Sequence, residues 1–364
     1  MTPSALIGID ASRSVSEQPT GTEFYSRRLI DALLDRGRGR FRFRLYFNQP
    51  PRFQIQSSAA EVRSLPFPRL WTHARLSWEM ATQPPDVLFV PAHVLPLVSP
   101  RRSVVTVHDL GYGHFPDTHP PRQRWYLDWT TRRHARRAAH LLADSTATKN
   151  DLVRRYGAKP DRITVAYPGL DPAVKRVNDA AEIARVKAKY GVEGAYVLYL
   201  GTLHPRKNLS RLIAAYRQSG LRLPLVLAGK RGWYYEQLIK EAGSGVRFIG
   251  YVDEADKPAL LTGARAFAFP SLYEGFGFPV LEAMACGVPV LCSSTSSLPE
   301  VAGEAGLLVD PLDVAEIAAG LRRITADDEL RPALIERGYE QARRFTWAQC
   351  ADAVLGVFEQ VLQR

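Results

Sequence analysis

Two acidic residues stand eight positions apart in the segment Pro270-Ser271-Leu272-Tyr273-Glu274-Gly275-Phe276-Gly277-Phe278-Pro279-Val280-Leu281-Glu282-Ala283. The apolar run before it reads as a strand, and the run from Val280 onward reads as a helix. Pro279 suits the first helical position, where its missing N–H would be unpaired anyway. Backbone N–H groups near Gly277 and Phe278 would then leave the helix start unpaired and face an anion or a ligand rich in hydroxyls. Gly275 and Gly277 would let the backbone approach that ligand closely. Glu274 would sit in the loop and Glu282 early in the helix. Two acids alone are better explained as partners of the helix macrodipole. It is the glycines, the proline and the post-strand position together that favour a binding site.

A second segment, Gly201-Thr202-Leu203-His204-Pro205-Arg206-Lys207-Asn208, follows the strand-like run Tyr196–Leu200. Arg206 and Lys207 at a strand's carboxyl end can neutralise a leaving group of high negative charge, a stabilisation that is often the largest catalytic contribution. Taken alone, a solvated basic turn explains them equally well. His108-Asp109 closes a third strand-like run; Asp109 could orient the imidazole, although a single His-Asp pair is more often structural. Gly21 precedes a helical stretch and could admit a phosphate at the helix start, with capping by Thr20 or Thr22 as the plain alternative. His204, His114, His119 and His134 lack metal-ligand spacing. The three cysteines are Cys286, Cys292 and Cys350, an odd number with no CxxC pair. They point to a reducing compartment and a cytoplasmic protein rather than a disulfide framework.

These loops need elements to carry them. Strands are expected at Leu6–Ile9, Phe43–Phe47, Val87–Val90, Ser103–His108 and Ala139–Ala143, and again at Tyr196–Leu200, Pro224–Ala228, Val246–Ile249, Ala266–Phe269 and Val288–Cys292. Helices are expected at Thr22–Arg36, Arg122–Ala138, Leu209–Ser219, Trp233–Ala242, Asp256–Thr262, Val280–Ala285 and Asp313–Thr325. Buried runs alternating with helices predict parallel sheets covered on both faces. The pattern occurs twice in 364 residues, with the turn-rich Tyr167–Pro172 between the sets. The expectation is an α/β protein of two Rossmann-like, doubly wound domains facing each other across a cleft, residues 1–168 and 169–345. Ligands in such sheets bind at the carboxyl ends of the strands.

The charge is lopsided. Residues 1–168 hold 25 Lys and Arg against 14 Asp and Glu, while residues 169–364 hold 23 of each. A basic field of this kind attracts phosphates on small substrates, lipids or nucleic acids. No nucleic-acid recognition module accompanies it, so nucleic acid is not expected as a partner. Arg122, Arg124, Arg132, Arg133, Arg136 and Arg137 are interleaved with Trp125, Tyr126 and Trp129. They form either a surface for anionic headgroups, which would make the protein peripheral on a membrane, or a solvated helix face. No run approaches the length of a membrane span, and the short apolar start does not suit a signal peptide.

Together these residues resemble retaining glycosyltransferase family four, whose members have the two-Rossmann-domain (GT-B) fold. The most specific element is the acid, seven residues, acid spacing of Glu274 and Glu282 within PSLYEGFGFPVLEAMACGVPV. VHDL at Val107–Leu110, ADSTATKNDL at Ala143–Leu152, YPGLD at Tyr167–Asp171 and GTLHPRKNL at Gly201–Leu209 support it. The resemblance implies that Glu274 and the backbone of Gly275, Phe276, Gly277 and Phe278 hold the donor sugar. It also implies that Glu282 binds the ribose and that Arg206 and Lys207, beside Gly201, neutralise the diphosphate. His108 would line the reaction centre; Lys230, Tyr251 and Val252 would border the phosphates and base; Gly21 would be the N-terminal phosphate contact. Residues 1–168 become the acceptor side, 169–345 the nucleotide-sugar domain, and 346–364 a helix crossing back to the first domain. Thr202 replaces an arginine found in many members, and Gly21 stands where many carry a Gly-Gly pair. The branch resembled builds bacterial surface polysaccharides such as lipopolysaccharide, with many mannosyltransferases. GDP-mannose is therefore the first donor expected and UDP-sugars the second, with a glycan or lipid-diphosphate-linked acceptor. No carboxylate near His108 suggests a nucleophile, so front-face attack is expected. No DxD-like cluster appears, so no metal or other cofactor is expected. A nucleotide-sugar epimerase, a phosphorylase or a non-catalytic nucleotide-sugar binder on the same fold are the alternatives.

Overall fold

The structure, a computed structural model, describes residues 4–15, 21–51, 60–67, 69–92, 94–230, 232 and 235–364. Two units emerge: residues 1–169 with 346–364, and residues 170–345.

The first unit contains β1 (Leu6–Asp10), β2 (Arg42–Phe47), β3 (Ala60–Ser64), β4 (Val87–Val90), β5 (Ser103–Val107), β6 (His140–Ala143) and β7 (Ile163–Val165). They form one parallel sheet in the order β3-β2-β1-β4-β5-β6-β7. β4, β5 and β6 are buried at every residue, as expected of strands covered on both faces. β3 (Ala-Glu-Val-Arg-Ser) is a largely exposed edge strand with no apolar run, so it carries no strand signal; charge on an edge strand discourages edge-to-edge pairing. The Arg-rich stretch is a helix over Pro121–Arg137, and a π-helical turn spans Thr72–Leu76. The C-terminal helix Trp347–Leu362 packs on the helix Gly21–Arg36 of the same unit. Phe358 lies edge-on to Phe89 at 5.4 Å, and Arg36 pairs with Asp352 at 2.7 Å.

The second unit contains β8 (Val197–Leu200), β9 (Leu225–Ala228), β10 (Val246–Gly250), β11 (Ala266–Phe269), β12 (Val290–Ser293) and β13 (Gly306–Val309). All pairings are again parallel, in the order β10-β9-β8-β11-β12-β13. The strand order reverses beside β8, which lies between β9 and β11, and beside β1, which lies between β2 and β4. Such reversals are where crevices open beyond the strand ends. The segment after β8 holds Arg206 and Lys207, and the segment after β11 holds Glu274. The topology therefore places both at the switch point of the second unit. The helix expected from Trp233 is described from Tyr235 to Ala242; Trp233 itself lies outside the described residues.

Candidate active site

The chain leaves β8 through Gly201, whose φ of +156° and close contact with Tyr199 suit only glycine. A Cβ on neighbouring Gly229 would lie 1.9 Å from the Gly201 carbonyl oxygen, so the two strand exits touch backbone to backbone. His204 then caps a 3₁₀ turn over Pro205–Lys207, its Nδ1 accepting from the Arg206 N–H at 3.3 Å. Asn208 follows in the left-handed region at φ +63°. Its buried amide donates to the carbonyls of Pro270 at 3.0 Å and Pro311 at 2.6 Å. The Leu272 N–H donates to the Arg206 carbonyl at 2.9 Å, which stitches the two loops together.

Glu274 is buried and lies under both cations. Lys207 Nζ is 2.5 Å from Oε1, and Arg206 is 3.5 Å from Oε2. Ser271 donates to Oε1 at 2.5 Å, Ser296 accepts from the Glu274 N–H at 3.0 Å, and Ser297 donates to its carbonyl at 3.0 Å. The Lys207 ammonium also stands 5.0 Å over the Phe269 ring. Burial by itself would raise the Glu274 carboxyl; Lys207 and Arg206 override it and hold the group below its ordinary value of 4.5. Two cations thus stand against the one carboxylate of Glu274 at the switch point. A carboxylate so held keeps flexible cations in place before an anion arrives.

Glu282 does not join this cluster. It lies within the helix Phe278–Ala285, buried, with its Oε1 3.1 Å from Lys257 Nζ, and Lys257 is also 2.7 Å from Glu254. Burial pulls the Glu282 carboxyl upward, offset by Lys257, whose own ammonium is held charged by the two acids despite burial. Lys257 was not foreseen; a lysine inside the helical pattern of Asp256–Thr262 reads as surface. Phe278 opens the helix and Pro279 is its second residue, with Gly277 at φ +124° as cap. The Phe276 ring is buried, edge-on to Phe278 at 5.1 Å and to Phe345 at 5.5 Å, so its side chain is packing. Lys230 Nζ lies 5.1 Å over the ring of half-exposed Tyr251, and Val252 is buried. Gly21 opens the helix Gly21–Arg36 in an exposed position.

In the first unit, the partner of His108 is not Asp109. Asp109 Oδ1 accepts from the Gly111 N–H at 2.9 Å and closes a local turn. The His108 Nδ1 instead meets Asp144 Oδ2 at 2.6 Å, Asp144 lying just beyond β6, the strand paired with β5. The expectation that Asp109 orients the imidazole is thus corrected: Asp144 does so. Asp144 is buried against Nδ1 and already committed to the ring, which makes it an orienting group. Burial disfavours the imidazolium, but Asp144, its hydrogen bond and Asp109 outweigh this and raise His108 above 6.5. The Tyr25 ring stands edge-on to the imidazole at 4.7 Å. His134, buried and accepting the Leu95 N–H, is pushed down to about 3 by burial and is a neutral core residue. Among the described residues, no group of three or more His, Cys, Asp or Glu is arranged to hold a metal, and no helix is long and apolar enough to cross a membrane.

Known proteins resemble this chain in sequence and in fold. The family model described as Glycosyl transferases group 1 matches residues 181–341, and that described as Glycosyltransferase Family 4 matches residues 19–174. The O-antigen chain mannosyltransferase B of Escherichia coli is 37% identical over 270 residues, covering 71% of this chain and 70% of that protein. The serotype-specific mannosyltransferase WbdA of Escherichia coli is 31% identical over 239 residues, covering 62% of this chain and 29% of that longer protein. Among solved structures, sucrose-phosphate synthase of Thermosynechococcus elongatus superposes with a TM-score of 0.76 at 21% identity, covering 99% of both chains. Alr3699/HepE of Anabaena, in complex with UDP-glucose, superposes with a TM-score of 0.71 at 19% identity, covering 98% of each chain. At those identities the structures speak for the GT-B fold alone. With the fold, both family models and the Escherichia coli relative in agreement, the chain belongs to glycosyltransferase family 4, and it is a glycosyltransferase.

Proposed function

We propose that the protein transfers a mannosyl residue from GDP-mannose to a glycan or lipid-linked acceptor, with retention of configuration and without a metal. One observation carries this reading: buried Glu274 holds two cations, Arg206 and Lys207, at the switch point where a diphosphate would leave. The relatives named mannosyltransferases support mannose as the sugar. HepE with UDP-glucose keeps UDP-sugars as the second donor class. Arg206 and Lys207 bind the diphosphate while the backbone of Gly275–Phe278 faces the sugar; Glu282, paired with Lys257, faces the ribose. Gly21, Gly201, Lys230, Tyr251 and Val252 border the rest of the donor.

In the reaction the bond from C1 to the diphosphate oxygen breaks. The acceptor hydroxyl bonds to C1 from the same face, and its proton passes to a departing phosphate oxygen. Asp144 already holds the Nδ1 of His108, so neither is assigned as nucleophile, and His108 lines the reacting centre. Catalysis then rests on positioning and charge neutralisation. We also propose peripheral contact with anionic lipid through the helix Pro121–Arg137, where Trp125 is 68% exposed and stacks on Trp129.

The test incubates the protein with GDP-mannose, UDP-glucose and UDP-N-acetylglucosamine plus glycan acceptors, with and without EDTA. Free nucleoside diphosphate and the anomeric configuration of the product are read. GDP release with an α-linked product, unchanged by EDTA, is expected. A β-linked product would overturn retention, activity restored only by manganese would overturn metal independence, and a UDP-sugar as the better donor would move the donor assignment.

A further inference from the structure

Lys257 is a buried lysine to which the donor reading gives no task of its own. Among the described residues its ammonium pairs with two acids, Glu282 Oε1 at 3.1 Å and Glu254 Oε2 at 2.7 Å. Glu282 is 8% exposed, whereas 65% of the Glu254 side chain faces solvent. The lysine therefore stands between an inner acid and an outer one. A lysine side chain is a flexible four-carbon stem, but here its root is fixed. The neighbouring Asp256, itself buried, is gripped by Arg185 at 2.8 Å, Lys189 at 2.5 Å and the Tyr190 hydroxyl at 3.0 Å. Arg185 and Lys189 belong to the helix Ala180–Lys189, which packs on the short helix Lys257–Thr262. Lys257 opens that short helix, and Pro258 sets the φ of its second residue. The short helix packs in turn on the helix Phe278–Ala285, which carries Glu282.

For Glu282 the consequence is specific. Lys257 is its one side-chain hydrogen-bond partner among the described residues, and it engages only Oε1. Oε2 remains to accept from a ligand. Burial pushes the Glu282 carboxyl toward its neutral form, Glu254 and Asp171 add to this, and Lys257 opposes them. The difference matters for binding, because hydrogen bonds to an ionised group are roughly twice as strong as those between neutral groups. Stability alone is a poor reason for such a pair: a buried ion pair is often no more stable than well-packed apolar residues of the same volume.

We propose that Lys257 is a positioning residue for donor recognition: by holding Oε1 of Glu282 and supplying its counter-charge, it presents Oε2 to a ribose hydroxyl of the nucleotide. Lys257 itself does not touch the nucleotide. The proposal rests on the donor reading of Glu282 and adds the residue through which that acid is set.

The test is calorimetry on the full chain with GDP, UDP and the 2′-deoxy and 3′-deoxy forms of each. The readout is the ratio of ribose-form to deoxy-form affinity, because a general loosening of the site weakens both alike. For the diphosphate that binds the wild type, at least one deoxy form is expected to bind about tenfold to a hundredfold more weakly, the range for a hydrogen bond to a charged group. In Lys257→Met that preference should be lost, and in Glu282→Ala likewise. Adding Lys257→Met to Glu282→Ala should weaken the diphosphate no further, since the lysine acts only through the acid. Should Lys257→Met fail to fold, Lys257→Gln, which keeps an N–H but no charge, takes its place with the same expectation. A wild-type preference in the lysine variant would overturn the proposal. So would a further loss of affinity in the double variant, which would mean that Lys257 meets the nucleotide directly. A wild type that binds a diphosphate without preferring ribose would remove the role of Glu282 and this proposal with it. Binding of neither diphosphate would instead sink the donor reading as a whole.

Discussion

At the scale of single residues, the cluster of Arg206, Lys207 and Glu274 makes separate predictions for catalysis and for stability. Loss of one preorganised charge that stabilises a leaving group typically costs about 10²–10³ in turnover. Arg206→Ala and Lys207→Ala are each expected to lower kcat by that order, measured by nucleoside diphosphate release; near wild-type kcat in the double variant would reject their role. Glu274 makes a pH prediction. Its folded pKa is below the ordinary 4.5, so its ionised form stabilises the fold above that value, and the contribution is lost as pH falls through the folded pKa. The difference in melting temperature between wild type and Glu274→Gln should be constant above pH 4.5 and shrink below it; a difference that grows with acidity would contradict the ion-pair account. These three residues stood out in the sequence because each falls in a loop just after a buried apolar run, with glycines and a proline beside Glu274, although a basic turn or a helix macrodipole explains either loop taken alone. Asp144 and Lys257 did not. They lie 36 and 25 positions from their partners His108 and Glu282, and only the pairing of β5 with β6 and the packing of two helices bring them together.

At the scale of elements, two short loops do the positioning, and their cost falls on Asn208 and Gly229. Asn208→Ala removes two buried hydrogen bonds worth about 1 kcal/mol each and keeps a strained left-handed backbone. Destabilisation of about 2–3 kcal/mol is expected by chemical denaturation, with turnover falling because Arg206 and Lys207 lose their frame. Asn208→Gly relieves the backbone and should cost less; if it costs more, the backbone argument is wrong. Gly229→Ala has no room for its Cβ beside the Gly201 carbonyl and should cost more than either. The strands that carry the site announced themselves through continuous apolar runs, as in Val-Leu-Phe-Val of β4 and Ala-Phe-Ala-Phe of β11. The strands missed were β3, β7 and β13, the first charged and exposed, the second three residues long, the third opened by glycine. All three end a strand order, where one side of the strand has no neighbour to demand an apolar run.

At the scale of the molecule, the whole formal charge of +11 resides in residues 1–168. On the helix Pro121–Arg137 the arginines divide by partner. Arg132 pairs with Asp128 at 2.7 Å, and Arg133 donates to the carbonyls of Leu95, Pro96 and Leu97, so both serve the fold. Arg122, Arg124, Arg136 and Arg137 are exposed, and beside the first two Trp125 and Trp129 stack with their planes 9° apart. Exposed tryptophan next to arginine is the composition that partitions to the headgroup region, where each basic residue near an anionic surface contributes about 1 kcal/mol. Co-sedimentation at low salt should therefore favour phosphatidylglycerol vesicles over phosphatidylcholine vesicles. Arg122→Gln with Arg124→Gln should weaken binding by roughly one to two orders of magnitude, from about 1 kcal/mol per charge removed. Trp125→Ala should weaken binding to both vesicle types and leave the salt dependence unchanged, because it removes apolar contact and no charge. The two variant sets separate the causes: the arginine pair tests the field and the tryptophan tests insertion. Equal binding to anionic and neutral vesicles, unaffected by salt, would show that this helix face is merely solvated, and the basic excess would then have to be explained by the substrates alone.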